Sequence, residues 1–266
     1  MALAVWALGA FPARIGAAAG LVFAGSGANL EITRLLAEAF VRTHPGVTIE
    51  VPPSLGSTGG IKAVAQGAIT VGLASRIFNA EERGLGLTYL PYARSPVVMA
   101  VHPSVSDETI SSADLVRIYQ GAKTSWRDGR EIVVLTRDPG DSAIEVLEQS
   151  VPGFREAYAE SQKARRWRTL FKMQEMNDTL ARTPGAIGMT SLPSGGAEQA
   201  KLKVLRIDDV APTRDSVREG RYRLVRTLAF VFRPGAVPPD AQAFMDFARS
   251  RAAVPIILEH GHLPAE

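Results

Sequence analysis

Three times within its first 76 residues the chain runs an apolar stretch straight into small and hydroxyl-bearing residues. Leu21-Val22-Phe23-Ala24 leads to Gly25-Ser26-Gly27-Ala28-Asn29, Val47 to Val51 leads to Gly56-Ser57-Thr58-Gly59-Gly60, and the apolar run ending at Ala74 leads to Ser75-Arg76. The first two are followed by helical periodicity, with Ile32, Leu35, Leu36, Ala39 and Phe40 on one face of the first helix and Ile61-Lys62-Ala63-Val64-Ala65 opening the second. Strand, small-residue loop and helix in repetition predict one parallel sheet. Its C-terminal edge carries Ser, Thr, Asn and Arg, and that edge is where open α/β sheets bind ligands.

The Gly56 to Gly60 stretch carries the clearest chemistry. Backbone N–H groups in the first turn of a helix have no intrahelical acceptor and lie at the positive end of the helix dipole, so an oxyanion there gains several hydrogen bonds at once. Plain helix capping by Ser57 is the competing reading of the same residues. A further junction, Arg137-Asp138-Pro139-Gly140-Asp141-Ser142, repeats the arrangement before a helix through Ser150 and adds an arginine.

Between these junctions, residues 87–94 run into the apolar strand 95–101, as expected where a chain crosses into a second lobe. Residues 111–119 read as a helix with a serine N-cap and an acid in its first turn, and residues 132–136 as a strand. Residues 164–180 read as a helix whose stripe of Trp167, Leu170, Phe171, Met173 and Met176 packs in the core. A turn at Pro184-Gly185, a loop at Ser194-Gly195-Gly196, a strand at 203–207, a long returning strand at 221–233 and an amphipathic helix at 238–250 complete the pattern. Residues 1–20 hold a short apolar run and the small-residue tract Gly16-Ala-Ala-Ala-Gly20 but lack a positive n-region. A degenerate signal, a misassigned start or a plain leader all fit; a secretory leader is the expectation, which places the protein in the periplasm or elsewhere outside the cytoplasm.

Composition removes several function classes. The 266 residues include no cysteine, which excludes thiolate metal sites, disulfides and cysteine nucleophiles. The formal charge is only +3, and the basic run at 163–168 reads as solvated surface, so nucleic acid is not the expected partner. There is no Gly-Lys-Ser/Thr phosphate loop and no Gly-x-Ser-x-Gly elbow, which argues against an enzyme. His260 and His262, two histidines near the C-terminus, read as a solvated tail rather than a metal site, and no cofactor is expected.

Taken in order, Gly25-Ser-Gly-Ala-Asn29, Gly56-Ser-Thr-Gly-Gly-Ile-Lys62, Val71-Gly-Leu-Ala-Ser-Arg76, Leu115-Val-Arg-Ile-Tyr-Gln-Gly121 with Trp126, Arg137 with Gly140, and Pro184-Gly-Ala-Ile-Gly188 resemble the phosphate-binding proteins of bacterial phosphate ABC transporters. The resemblance runs from Leu21 to the C-terminus. It implies the α/β, two-lobed type II periplasmic-binding-protein fold: two lobes, each a mixed, mostly parallel sheet flanked by helices, with the ligand cleft between them. Residues 21–94 with 225–266 would form one lobe and residues 95–224 the other. It also implies a monomer that presents phosphate or a similar oxyanion to membrane permease subunits.

Carried over residue by residue, the resemblance implies ligand contacts at Ala28, Asn29, Ser57, Thr58, Ser75, Arg76, Arg137, Gly140, Asp141 and Ser142. Arg137 would supply the one formal charge of the second lobe, and its planar fork suits two oxygens of a tetrahedral anion. The chain departs from the family at three places. Asn29 stands where a threonine is usual, Ser75 where a ligand-binding aspartate is usual, and Asp141-Ser142-Ala143 where Ser-Gly-Thr is usual. A buried carboxylate accepts the proton of hydrogen phosphate and repels sulfate, so without one at Ser75 that discrimination falls to Asp141 or is lost. Phosphate is the first expectation; the alternatives are another oxyanion, a small anionic metabolite, or a sensor that keeps the fold without transport.

Overall fold

The computed structural model describes residues 20–192 and 201–265. Most of the leader and the Ser194 to Gly196 loop lie outside them. β1 (Leu21–Gly25) runs into α1 (Gly27–Val41), and β2 (Ile49–Glu50) into α2 (Gly56–Ala65). β3 (Val71–Ala74) is followed by α3 (Ala80–Arg83) and then by β4 (Thr88–Val101). The next segment holds β5 (Thr109–Ile110), α4 (Ser112–Gln120), β6 (Val133–Arg137), α5 (Ser142–Ser150), α6 (Phe154–Lys163), β7 (Arg168–Leu170), α7 (Met173–Arg182) and β8 (Ala186–Ser191). After the short β9 (Lys203–Val204), β10 (Arg206–Ile207) and α8 (Arg214–Arg218), β11 (Val225–Phe232) leads back to α9 (Pro239–Ala248), α10 (Val254–Glu259) and β12 (Leu263–Pro264).

One sheet runs through the molecule in the order β2-β1-β3-β11-β4-β8-β6-β7. As predicted, β1 pairs in parallel with both β2 and β3, setting Leu21 opposite Ile49 and Phe23 opposite Val71. At the other end β6 pairs in parallel with β7 and β8. The two long crossing strands in the middle are antiparallel, from Val225 opposite Pro96 to Phe232 opposite Thr88. A single strand therefore serves two cores. Tyr92 and Ala93 of β4 pack with Phe23, Phe40, Phe230 and Phe244, whereas Val97, Met99 and Val101 pack with Leu115, Tyr119, Leu147 and Phe154. This is the two-lobed arrangement expected from the sequence.

Local sequence explains the elements that frame the cleft. Ser26 caps α1, its hydroxyl accepting from the Ala28 amide, and Ile32, Leu36 and Phe40 recur at helical spacing on the buried face. Phe40 and Phe23 both meet Phe244 of α9 edge to face, the latter pair with ring centroids 4.9 Å apart. Each such ring buries area that stabilises by roughly 1.5–3 kcal/mol. Two glycines decide how closely the layers approach. Gly25 has φ +156°, and a Cβ there would lie 2.1 Å from the Leu73 carbonyl oxygen; a Cβ at Gly60 would lie 2.7 Å from the Ala24 carbonyl oxygen. Only glycine lets the start of α2 rest on the ends of β1 and β3.

The structure differs from the sequence reading in places. Gly56 to Gly60 is not a loop before a helix but its first turns, with Leu55 at the N-cap position and no side-chain cap. The helix expected over 164–180 is broken into β7 and α7, because Arg168, Thr169 and Leu170 pair with Leu135, Thr136 and Arg137 of β6. Strand pairing outweighs the helical spacing. Leu170 and Met176 are buried as expected, but Phe171 is 68% exposed. Among the described residues no helix is long and apolar enough to cross a membrane.

Candidate oxyanion site

The first turns of α1, α2 and α5 converge on one serine. The Ser75 hydroxyl, at the end of β3, lies 2.6 Å from the Ser26 hydroxyl, 3.3 Å from that of Ser57 and 2.7 Å from that of Ser142. The Ser75 amide donates to the Ser57 hydroxyl at 3.2 Å. All four serines are buried. Ser26 is the N-cap of α1, Ser57 sits in the first turn of α2 and Ser142 follows Asp141, the N-cap of α5, whose carboxylate accepts from the Ala143 amide at 2.8 Å. Three positive helix ends and four hydroxyls thus share one spot, an arrangement that favours negative charge.

Two arginines stand beside it, and Arg137 is the one paired with a carboxylate. Arg137, 5% exposed at the end of β6, donates through Nε to Asp141 Oδ2 at 2.7 Å and through Nη2 to the Phe171 carbonyl at 3.0 Å. Its Nη1 is buried without a partner. Arg226, 2% exposed on β11, donates from Nη1 to the Ser142 hydroxyl at 3.2 Å and from Nη2 to the Ser191 hydroxyl, while its Nε is buried without a partner. Burial pulls the Arg226 guanidinium down to about 10; Asp141 acts against that shift and Arg137 with it. His262, 7% exposed, has an unpartnered Nδ1 and is pushed down to about 4 by burial, with Arg226 and His260 adding to the effect.

These groups line one cleft of about 1000 Å³. Ser26, Ala28, Ser57, Arg137, Arg226 and His262 form part of its wall, and Leu55 and Phe171 add exposed apolar surface to it. Among the described residues there is no group of three or more His, Asp or Glu placed to hold a metal ion. The N–H and O–H donors gathered here suit a bound anion.

Residues 12–252 match the family described as "PBP superfamily domain". The chain belongs to the PBP superfamily. Within it the chain is similar to "Phosphate-binding protein PstS 2" of Streptococcus pneumoniae, with 32% identity over 102 residues. That match covers 38% of this chain and 34% of that relative, so it spans about a third of the relative's length. "Phosphate-binding protein PstS" of Borreliella burgdorferi is 20% identical over 214 residues, covering 78% of this chain and 77% of that one. Among solved structures, a Clostridium perfringens ABC transporter substrate-binding protein with bound phosphate superposes with a TM-score of 0.84 at 22% identity, covering 93% of this chain and all of the other.

On this PBP-superfamily frame the residues predicted from sequence separate into two groups. Ala28, Ser57, Arg137, Gly140, Asp141 and Ser142 line the cleft, and Ser75 lies at the centre of the serine cluster. The other three point elsewhere. Asn29 is fully buried and its amide donates to the Ala74 carbonyl and the Tyr92 hydroxyl, tying α1 to the sheet. Arg76 makes a bidentate pair with Glu82, with its Nε 3.7 Å from Glu145, and Thr58 accepts from Arg76. None of the three lines the cleft.

The sequence reading also missed residues. Ser26, taken as part of a loop, is a full member of the cluster, and His262 is buried against Arg226 rather than in a solvated tail, because β12 pairs Leu263 with Arg94 and draws the C-terminal segment onto β4. Arg226 left a signal. Tyr222, Leu224, Leu228 and Phe230 are buried at alternate positions, and Arg226 occupies the same inward phase. A charge in the buried half of a strand's alternation marks a site.

Proposed function

We propose that this chain is an extracytoplasmic solute-binding protein that captures an inorganic oxyanion, with phosphate first, and delivers it to the permease subunits of an ABC transporter. The single observation that carries the reading is the convergence of three helix N-termini, four serine hydroxyls and Arg137 on one buried spot. Relatives described as phosphate-binding proteins support the ligand class. Residues 21–94 with 225–266, and 95–224, act as the two lobes that close on the anion, and Ala28, Ser57, Ser75, Arg137, Gly140, Asp141 and Ser142 hold it. The protein works as a monomer, without a catalytic step and outside the cytoplasm.

Isothermal titration with phosphate, sulfate, molybdate and tungstate at two pH values tests the reading. Phosphate is expected to bind, and Arg137→Ala to abolish that binding with the far-ultraviolet circular dichroism unchanged. No heat from any of the four anions sinks the proposal. A second reading, a small organic anion, is favoured by the cleft itself. A volume of about 1000 Å³, with the exposed apolar side chains of Leu55 and Phe171 on its wall, leaves room beyond an inorganic ion. Competition by a phosphorylated two- or three-carbon acid, at higher affinity than phosphate, would establish it.

A further inference from the structure

Arg226 is a buried cation without a carboxylate of its own. Removing a guanidinium from water is costly unless it is paired, and here its partners are two hydroxyls, Ser142 and Ser191. The nearest carboxylate influence is Asp141, and Asp141 is already committed to Arg137 through both Nε and Nη2 and to the Ala143 amide. The charged and titratable groups that act on or with Arg226 are Asp141 and Arg137 from the β6–α5 junction and His262 from the C-terminal segment, itself influenced by His260. His262 is held neutral, so the two arginines outweigh one aspartate. The orphaned Nε of Arg226 and Nη1 of Arg137 are both buried beside the cleft that these residues line. The three helix ends add roughly half a positive charge each.

We propose that Arg226 is a second cationic ligand-binding residue, delivered by the returning strand β11 rather than by a loop of either lobe, and that it makes the site select a dianion over a monoanion. The inference rests on the oxyanion reading above. Its chemistry is that of a doubly charged tetrahedral anion, held by Arg137 on one side and Arg226 on the other, with the serines between. Because Arg226 hydrogen-bonds both Ser142, at the start of α5, and Ser191, at the end of β8, the same residue also sets the position of those two hydroxyls.

The test compares the full chain with Arg226→Met and Arg226→Lys, titrated with sodium phosphate and sodium sulfate at pH 6 and pH 8. Sulfate keeps two charges throughout and controls for titration of the protein; phosphate loses its second charge on acidification. The wild type is expected to bind phosphate more tightly at pH 8 than at pH 6, relative to sulfate. Arg226→Met is expected to bind both anions at least tenfold more weakly and to lose the phosphate pH dependence. It is also expected to melt no lower than the wild type without added anion, since an unpaired buried charge has been removed. If the methionine variant does not fold, Arg226→Lys decides: it keeps the charge without the fork and is expected to weaken both anions while retaining the pH dependence. A variant that binds both anions as the wild type does, or keeps the full pH dependence as methionine, overturns the role of Arg226 while leaving the oxyanion reading intact. A wild type that binds neither anion overturns both.

Discussion

The Ser75 hydroxyl donates to the Ser142 hydroxyl across 2.7 Å, joining the end of β3 to the start of α5. In the sheet β3 and β6, the strand that leads into α5, lie on opposite sides of the crossing strands β11 and β4. The contact ties the end of β3 to the start of α5, and under the proposed function it sets Ser75 beside the anion. Replacing Ser75 with aspartate puts an acceptor there. Hydrogen phosphate can donate its proton to that carboxylate and sulfate cannot. Leaving an acceptor facing an acceptor costs about 1–3 kcal/mol, so Ser75→Asp is expected to shift the phosphate-to-sulfate affinity ratio about tenfold or more towards phosphate in calorimetric titration. An equal loss for both anions would count against this role.

Asp141 both caps α5 and pairs with Arg137 at 2.6 Å. Asparagine caps as well as aspartate, so Asp141→Asn isolates the ion pair. Removing one partner of a buried pair leaves the other charge uncompensated, and stability is expected to fall by about 3 kcal/mol in urea denaturation. Added phosphate is expected to recover a larger fraction of stability in the variant than it adds to the wild type. Unchanged stability in the absence of anion would refute the account.

His262 sets an acid limit. In the folded chain it takes up a proton only at about 4, against an ordinary value of 6.5. Above pH 6.5 neither state binds that proton and the group is neutral in its effect; between 6.5 and 4 the unfolded chain binds it and the folded chain does not, so stability falls as pH falls. The loss approaches about 3 kcal/mol near pH 4. Denaturation curves at pH 7 and pH 4.5 are expected to show that His262→Gln loses less stability on acidification than the wild type. Parallel losses in the two proteins would be the contrary result.

Gly60 tests the seat of α2. Alanine is the better helix former by up to about 1 kcal/mol, yet its methyl would lie 2.7 Å from the Ala24 carbonyl oxygen, a backbone atom that cannot rotate away. Overpacking of this kind costs about 1–3 kcal/mol. Gly60→Ala is expected to lower the denaturation midpoint and to weaken anion binding together, because Ser57 moves with the helix. Normal binding in a destabilised variant would separate the seat of α2 from the site.

Much of the site was legible because its chemistry is local. Ser57 and Ser142 sit at or beside helix starts that the sequence marks with glycine, serine and aspartate, and Arg137 ends a strand bounded by a turn. Asn29 and Arg76 show where that reasoning stops. Both follow a strand end closely in sequence, but a short amide can reach a sheet carbonyl and a long guanidinium can reach an acid six residues away, and those partners draw the two side chains away from the cleft. Residues 164–180 illustrate the same limit in secondary structure, since β7 exists only because β6 lies beside it.

The sequence by itself determined strands such as β1, β3 and β6 and the glycine and serine junctions beside them, because capping, backbone conformation and apolar periodicity depend on neighbours a few residues away. It also carried the order of those junctions, and with it the two-lobed fold. Only the tertiary structure decided which donors meet. Ser26, Ser75, Ser142 and Arg226 are brought together by β11 crossing between β3 and β4. Positions as far apart as 26 and 226 share a site because strand pairing and burial, which act through space, place them there.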